Sequence, residues 1–117
     1  MDTSNTTSDC ICSDKVEGTA VFNEAGDKLG SIDNLMIDKR SGQVRHAVLE
    51  FGGFLGLGTD RYPLPWSLLK YDTAWDGYVV PLDKARLEGA PRYPHNSQSP
   101  FNTDTAYGQQ VNNYYGY

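Results

Sequence analysis

The side chains that could do chemistry in this chain are few and scattered. Cys10 and Cys12 stand one residue apart. Such a pair offers two thiolates to a zinc ion, but a closed zinc site takes four ligands. The two imidazoles, His46 and His95, lie in different stretches: His46 inside an extended apolar run, His95 in a polar tail. Reduced thiols on a flexible arm are the simpler reading of the cysteines. Asp33, Asp38 and Glu50 could form an acidic site. Proton transfer by paired carboxylates needs a cleft and a raised pKa. Asp38 precedes a turn, where an aspartate commonly bonds its own backbone, and the bland reading of all three is turn and surface groups. No Ser or Cys next to His46 carries the signature of an activated nucleophile. Gly53-x-x-Gly56-x-Gly58 is a permutation of glycine-rich phosphate loops. Those loops work because a helix N-terminus follows at once. Here Tyr62-Pro63-Leu64-Pro65 follows, which cannot be a helix. The residues therefore imply no catalytic site, no metal site and no cofactor.

The elements that position these groups are short strands. Ala47, Leu49 and Phe51 alternate with Val48 and Glu50, the period-two pattern of an extended segment. Tyr62, Leu64 and Trp66 alternate again. Leu49, Phe51, Leu64 and Trp66 are the expected core. Pro63 and Pro65 cannot donate to a ladder, so this strand is an edge or is paired on one side only. Upstream, Ala20 and Phe22 mark a first strand, and Leu29, Ile32, Leu35 and Ile37 a second. The spacing from Ile32 to Leu35 breaks strict alternation, and a β-bulge near Asp33-Asn34 restores the phase. Ser67 to Leu69 reads as one helical turn capped by Ser67. Asp76-Gly77 closes a hairpin, and the last strand runs from Gly77 to Leu82. Asp83 is a good N-cap for a helix of one to two turns that Gly89 and Pro91 terminate.

About six short strands and one short helix after the last strand make an all-β fold, expected to be a small bent antiparallel barrel. The chain has 117 residues, enough for one domain. Residues 1–14 read as a flexible N-terminal arm, 15–91 as the barrel-like domain, and 92–117 as a polar Tyr- and Asn-rich tail. The tail composition predicts a mobile segment. Tyr107, Val111 and Tyr114 or Tyr115 also fit one face of a short helix, formed on docking, which Gly108 would weaken by about 1 kcal/mol.

Net charge is −5, with 15 acidic and 10 basic residues. A nucleic-acid partner would require a basic surface. Lys39, Arg40 and Arg45 form the closest basic cluster, and they read as a solvated turn. No apolar run is long enough to span a membrane, and Met1-Asp-Thr-Ser-Asn5 lacks the basic and apolar regions of a secretory signal. A cytoplasmic location follows as the expectation.

Leu29-Gly-Ser-Ile-Asp-Asn-Leu-Met-Ile-Asp-Lys-Arg-Ser-Gly42, Gly52-Gly-Phe-Leu-Gly56, Leu64-Pro-Trp66 and Tyr78-Val-Val-Pro-Leu-Asp-Lys84 resemble the PRC-barrel domain. That domain takes its name from the cytoplasmic part of the photosynthetic reaction centre H subunit and also occurs in ribosome-maturation factors. The resemblance covers about Lys15 to Ala90 and is nearest to stand-alone bacterial PRC-barrel proteins. It implies a small barrel used for binding or assembly, with no shared active site.

The expected function is a non-enzymatic interaction module, self-associating as a homodimer, with a small-ligand or metal-binding barrel as the alternative. Phe54, Leu55 and Leu57 are the candidate interface. Three apolar side chains in a seven-residue loop cannot all turn inward, because neighbours in extended chain point opposite ways. Exposed apolar surface beside an open edge is where domains associate.

Overall fold

The computed structural model describes residues 10–51 and 59–117. Its strands are β1 (Ala20–Asn23), β2 (Lys28–Ile37), β3 (Val44–Phe51), β4 (Asp60–Pro65), β5 (Lys70–Asp72), β6 (Gly77–Val80) and β7 (Tyr93–Pro94). They form one sheet in the order β5-β6-β1-β2-β3-β4-β7. Three short helices accompany it: α1 (Ser13–Val16), α2 (Lys84–Glu88) and α3 (Tyr107–Tyr114).

This architecture corrects the expected barrel in three ways. The ladder ends at β5 and β7, and no pairing among the described residues joins those ends, so the sheet is not closed. The sheet is also not wholly antiparallel, because β6 runs parallel to β1. Finally, the described residues carry seven strands and three α-helices rather than six and one. The seventh strand and the third helix both lie in the stretch expected to be a tail.

Local chemistry explains where the strands bend. The β2–β3 register slips between Ile32 and Asn34, where the apolar spacing required a bulge. A further slip at Met36/Ile37 had no such signal. Residues of β4 from Tyr62 to Pro65 pair with β3 alone, since β7 reaches only Asp60 and Arg61. The two residues that lack an N–H thus sit where one side of the strand has no ladder. Asp83 caps α2, its carboxylate accepting from the Arg86 amide at 2.8 Å. The turn Trp66–Leu68 is a 3₁₀ turn entered from Pro65, without a side-chain cap from Ser67.

Ala47, Val48 and Leu49 are all buried, although consecutive residues on a strand point to opposite faces. Both faces of β3 are therefore covered. Ala47 pairs with Leu35 and Leu64, deep in the sheet. His46 shares the face of Val48, and that face is covered by the C-terminal segment. In this structure residues 92–117, expected as a tail, lie packed on the sheet, and α3 is the docked helix that the Tyr107 and Val111 spacing allowed. Tyr93, Tyr107, Val111 and Tyr115 belong to the core, and α3 packs against β4. Composition concealed this because Asn, Gln, Ser and Gly are frequent in the segment, while the side chains that join the core, Tyr93, Tyr107, Val111 and Tyr115, are few.

Candidate functional site

The docking of α3 creates the most chemically furnished place on the molecule. A cleft of about 220 Å³ opens between the end of β2, the start of β3 and the C-terminal segment. Met36, Ile37, Asp38, Arg45, His46 and Phe101 contribute to its wall, with Asp104, Thr105 and Gly108 opposite. His46 is its buried member, only 6% exposed. Its Nε2 lies 2.9 Å from the Asn112 Oδ1, a contact across 66 residues of sequence. Facing an acceptor, Nε2 carries the proton. Phe101 packs on the ring at a centroid distance of 5.2 Å. Burial pushes the His46 pKa down from 6.5; the hydrogen bonds to Asn112 and the Gly108 backbone oppose this, and the Arg45 charge adds to it.

Gly108 eases this approach. A Cβ there would sit 3.3 Å from His46 Cε1 and 3.6 Å from Phe101. The glycine that weakens α3 as an isolated helix lets it reach β3.

The charges beside His46 are already occupied. Asp38 accepts the backbone amides of Arg40 and Ser41 at 2.9 and 2.8 Å, and Arg45 reaches its other oxygen at 3.0 Å. Those bonds hold its carboxyl at about 2, well below the usual carboxylate range. Asp33 and Glu50 lie elsewhere and are joined by Arg61, at 3.3 and 3.9 Å. The three carboxylates thus do not converge; two share one guanidinium. Arg61 was not singled out in the sequence, although pairing β3 with β4 sets it directly across from Glu50.

The remaining candidate residues disperse. His95 is exposed and lies at the opposite end of β4 from His46, its Nδ1 donating to the Thr59 carbonyl at 3.0 Å. Cys10 and Cys12 are exposed. Among the described residues, no three His, Cys, Asp or Glu side chains gather as a metal site would require. Leu49 and Leu64 are buried at 1% and 0% exposure, whereas Phe51 and Trp66 are half-buried against the core. Trp66 meets Tyr78 edge-on at 5.6 Å, and Phe51 meets Tyr62 at 5.2 Å. Phe54, Leu55 and Leu57 lie outside the described residues. Among the described residues, no helix is long and apolar enough to cross a membrane.

A second clasp secures the C-terminal helix. Arg86 donates to the Tyr114 carbonyl, and the Tyr114 hydroxyl donates to the Arg86 carbonyl, both at 2.6 Å. The guanidinium also lies 4.5 Å from the Tyr114 ring centre. The long sequence separation hid these partners; only the Tyr107/Val111/Tyr115 spacing pointed to the helix face that makes them.

No curated protein matches the chain. The family model for the PRC-barrel domain matches residues 13–87, from α1 through most of α2. That span includes β1 to β6 and ends before β7 and α3. Covering well over half of the sequence, the match establishes that this chain belongs to the PRC-barrel domain family.

Proposed function

We propose that the protein is a non-enzymatic interaction module that self-associates, with Phe54, Leu55 and Leu57 as candidate contact residues. The observation that carries this reading is the way the titratable groups are used. His46 is tied to Asn112, Asp38 to its own turn and Arg45, and Asp33 and Glu50 to Arg61. Each has a structural partner, so none is held poised for a substrate. Membership of a family built on a small β-rich domain agrees with a binding or assembly role. A small-ligand role would fall to the cleft beside His46, but there Asp38 and Arg45 are already paired with each other.

The reading is tested by light scattering on wild type and Leu55→Asp across a dilution series. Wild type is expected to change mass with concentration; a shift of Leu55→Asp toward the monomer would mark the candidate residues as the contact. A wild type that stays monomeric up to about a millimolar, where even a weak pair near −4 kcal/mol would be half associated, would contradict self-association.

A further inference from the structure

The two ends of the sheet differ. At one end, β7 is two residues long and finishes in Pro94, which has no N–H to offer. At the other, β5 is Lys70-Tyr71-Asp72, without proline, and pairs only with β6. Proteins usually shorten, cover or charge such an edge to keep it from pairing with another chain. Here the charges have opposite signs and flank a central residue.

The edge is also held rigid. Tyr71 donates its hydroxyl to Asp76 and packs edge-on against Tyr78 at 5.3 Å. Asp72 Oδ1 accepts the amides of Ala74 and Trp75 at 2.8 and 3.2 Å, leaving Oδ2 without a partner within the chain among the described residues. Lys70 is exposed and has no carboxylate partner among those residues. Tyr71 and Trp75, in the turn directly after the strand, are among the large apolar side chains most exposed to solvent, at 36% and 42%.

We propose that two copies of this chain join edge to edge through β5, antiparallel about a two-fold axis at Tyr71, with Lys70 of each copy facing Asp72 of the other. Lys70 and Asp72 lie two residues apart and so project to the same face of the strand. An antiparallel pair centred on Tyr71 sets residue 70 opposite residue 72 on both sides, which makes two cross-strand ion pairs from one sequence. The same pairing satisfies backbone groups that the edge leaves open. An isologous contact needs a surface complementary to itself, and charges of opposite sign at equal distances from the axis supply that. A heterologous peptide would satisfy the backbone equally but gains nothing from this symmetry, so a second copy is the occupant the charges fit.

This inference rests on the self-association reading above and replaces the 52–58 loop with β5 as the contact. Sedimentation equilibrium of the full chain distinguishes them. Lys70→Glu sets acid against Asp72 twice, and is expected to raise the dissociation constant at least about tenfold. Adding Asp72→Asn to that variant keeps a side chain able to hold the Ala74 and Trp75 amides and removes the repulsion. It is expected to recover at least about threefold, which general damage at position 70 would not allow. Leu55→Asp is expected to associate as wild type does. If Lys70→Glu associates like wild type, or Asp72→Asn fails to recover the loss, β5 pairing is overturned while self-association stands. If Leu55→Asp dissociates instead, the loop is the contact. A wild type monomeric at about a millimolar overturns both.

Discussion

His46 on β3 and Asn112 on α3 are joined by a 2.9 Å hydrogen bond that fastens the C-terminal helix to the sheet. The imidazole is buried, so its N–H has to find an acceptor inside the protein. Asn112→Ala removes that acceptor and leaves the buried donor unsatisfied. The expected loss is about 1–3 kcal/mol, read as a lower midpoint in urea unfolding with an unchanged slope.

The same burial gives stability a pH dependence. The folded His46 has a pKa below 6.5, so the unfolded chain binds its proton first as pH falls. Its stabilising contribution is complete above about 6.5 and is lost as pH drops toward the lowered folded value. Arg45 adds to the shift, while Asp38 and Asp104 line the same cleft. Asp38 acts lower: its contribution is present above 3.8 and fades only as pH falls toward about 2. Thermal melts of wild type and His46→Gln as pH falls from about 6.5, above the Asp38 window, should show a shallower slope for the variant. Parallel slopes would mean that His46 titrates alike in both states.

The C-terminal segment should behave as part of the domain. Tyr93, Tyr107, Val111 and Tyr115 are all buried. At roughly 1.5–3 kcal/mol for each large apolar side chain, four of them approach the whole stability of a small domain. A chain ending at Pro91 is expected to lose cooperative unfolding, as judged by the sharpness of its thermal transition. A sharp transition near the full-length midpoint would make 92–117 an appendage.

Tyr107 and Tyr115 should matter for their rings and not for their hydroxyls. Neither hydroxyl has a partner within the protein among the described residues. Burial pushes Tyr107 up from 10.0 to about 12 and raises Tyr115 as well. Each ring keeps its proton in the folded state, so this stability is present below pH 10 and lost as pH rises beyond it. Tyr107→Phe and Tyr115→Phe should change neutral stability by no more than about 1 kcal/mol and raise the alkaline unfolding midpoint. A large loss at neutral pH would reveal a hydrogen bond that the geometry lacks.

These relationships mark how far the sequence could be read. The β2 bulge, the one-sided pairing of the proline-bearing strand and the Asp83 cap were legible, because each follows from local residue chemistry. The parallel β1–β6 pair and the open ladder were not, since strand order depends on contacts between distant segments. The cleft was missed for the same reason. His46 reads as an ordinary strand residue until α3 lands on it, and α3 reads as a tail because its polar residues outnumber the two that are buried, Tyr107 and Val111. Gly108 argued against a helix on propensity, yet its missing side chain relieves a tight contact with His46 where the helix docks.

On the proposed function, the polar groups of this domain serve its architecture and its surfaces act by association. His46 is the residue that tests this most severely, since a buried histidine in a cleft is also what a proton-transfer site would contain. NMR titration of its ring nitrogens in the folded protein is the direct test. An Nε2–H tautomer and a pKa below 6.5 are expected. A proton on Nδ1, or a pKa at or above 6.5, would contradict that reading and return His46 to the list of reactive groups.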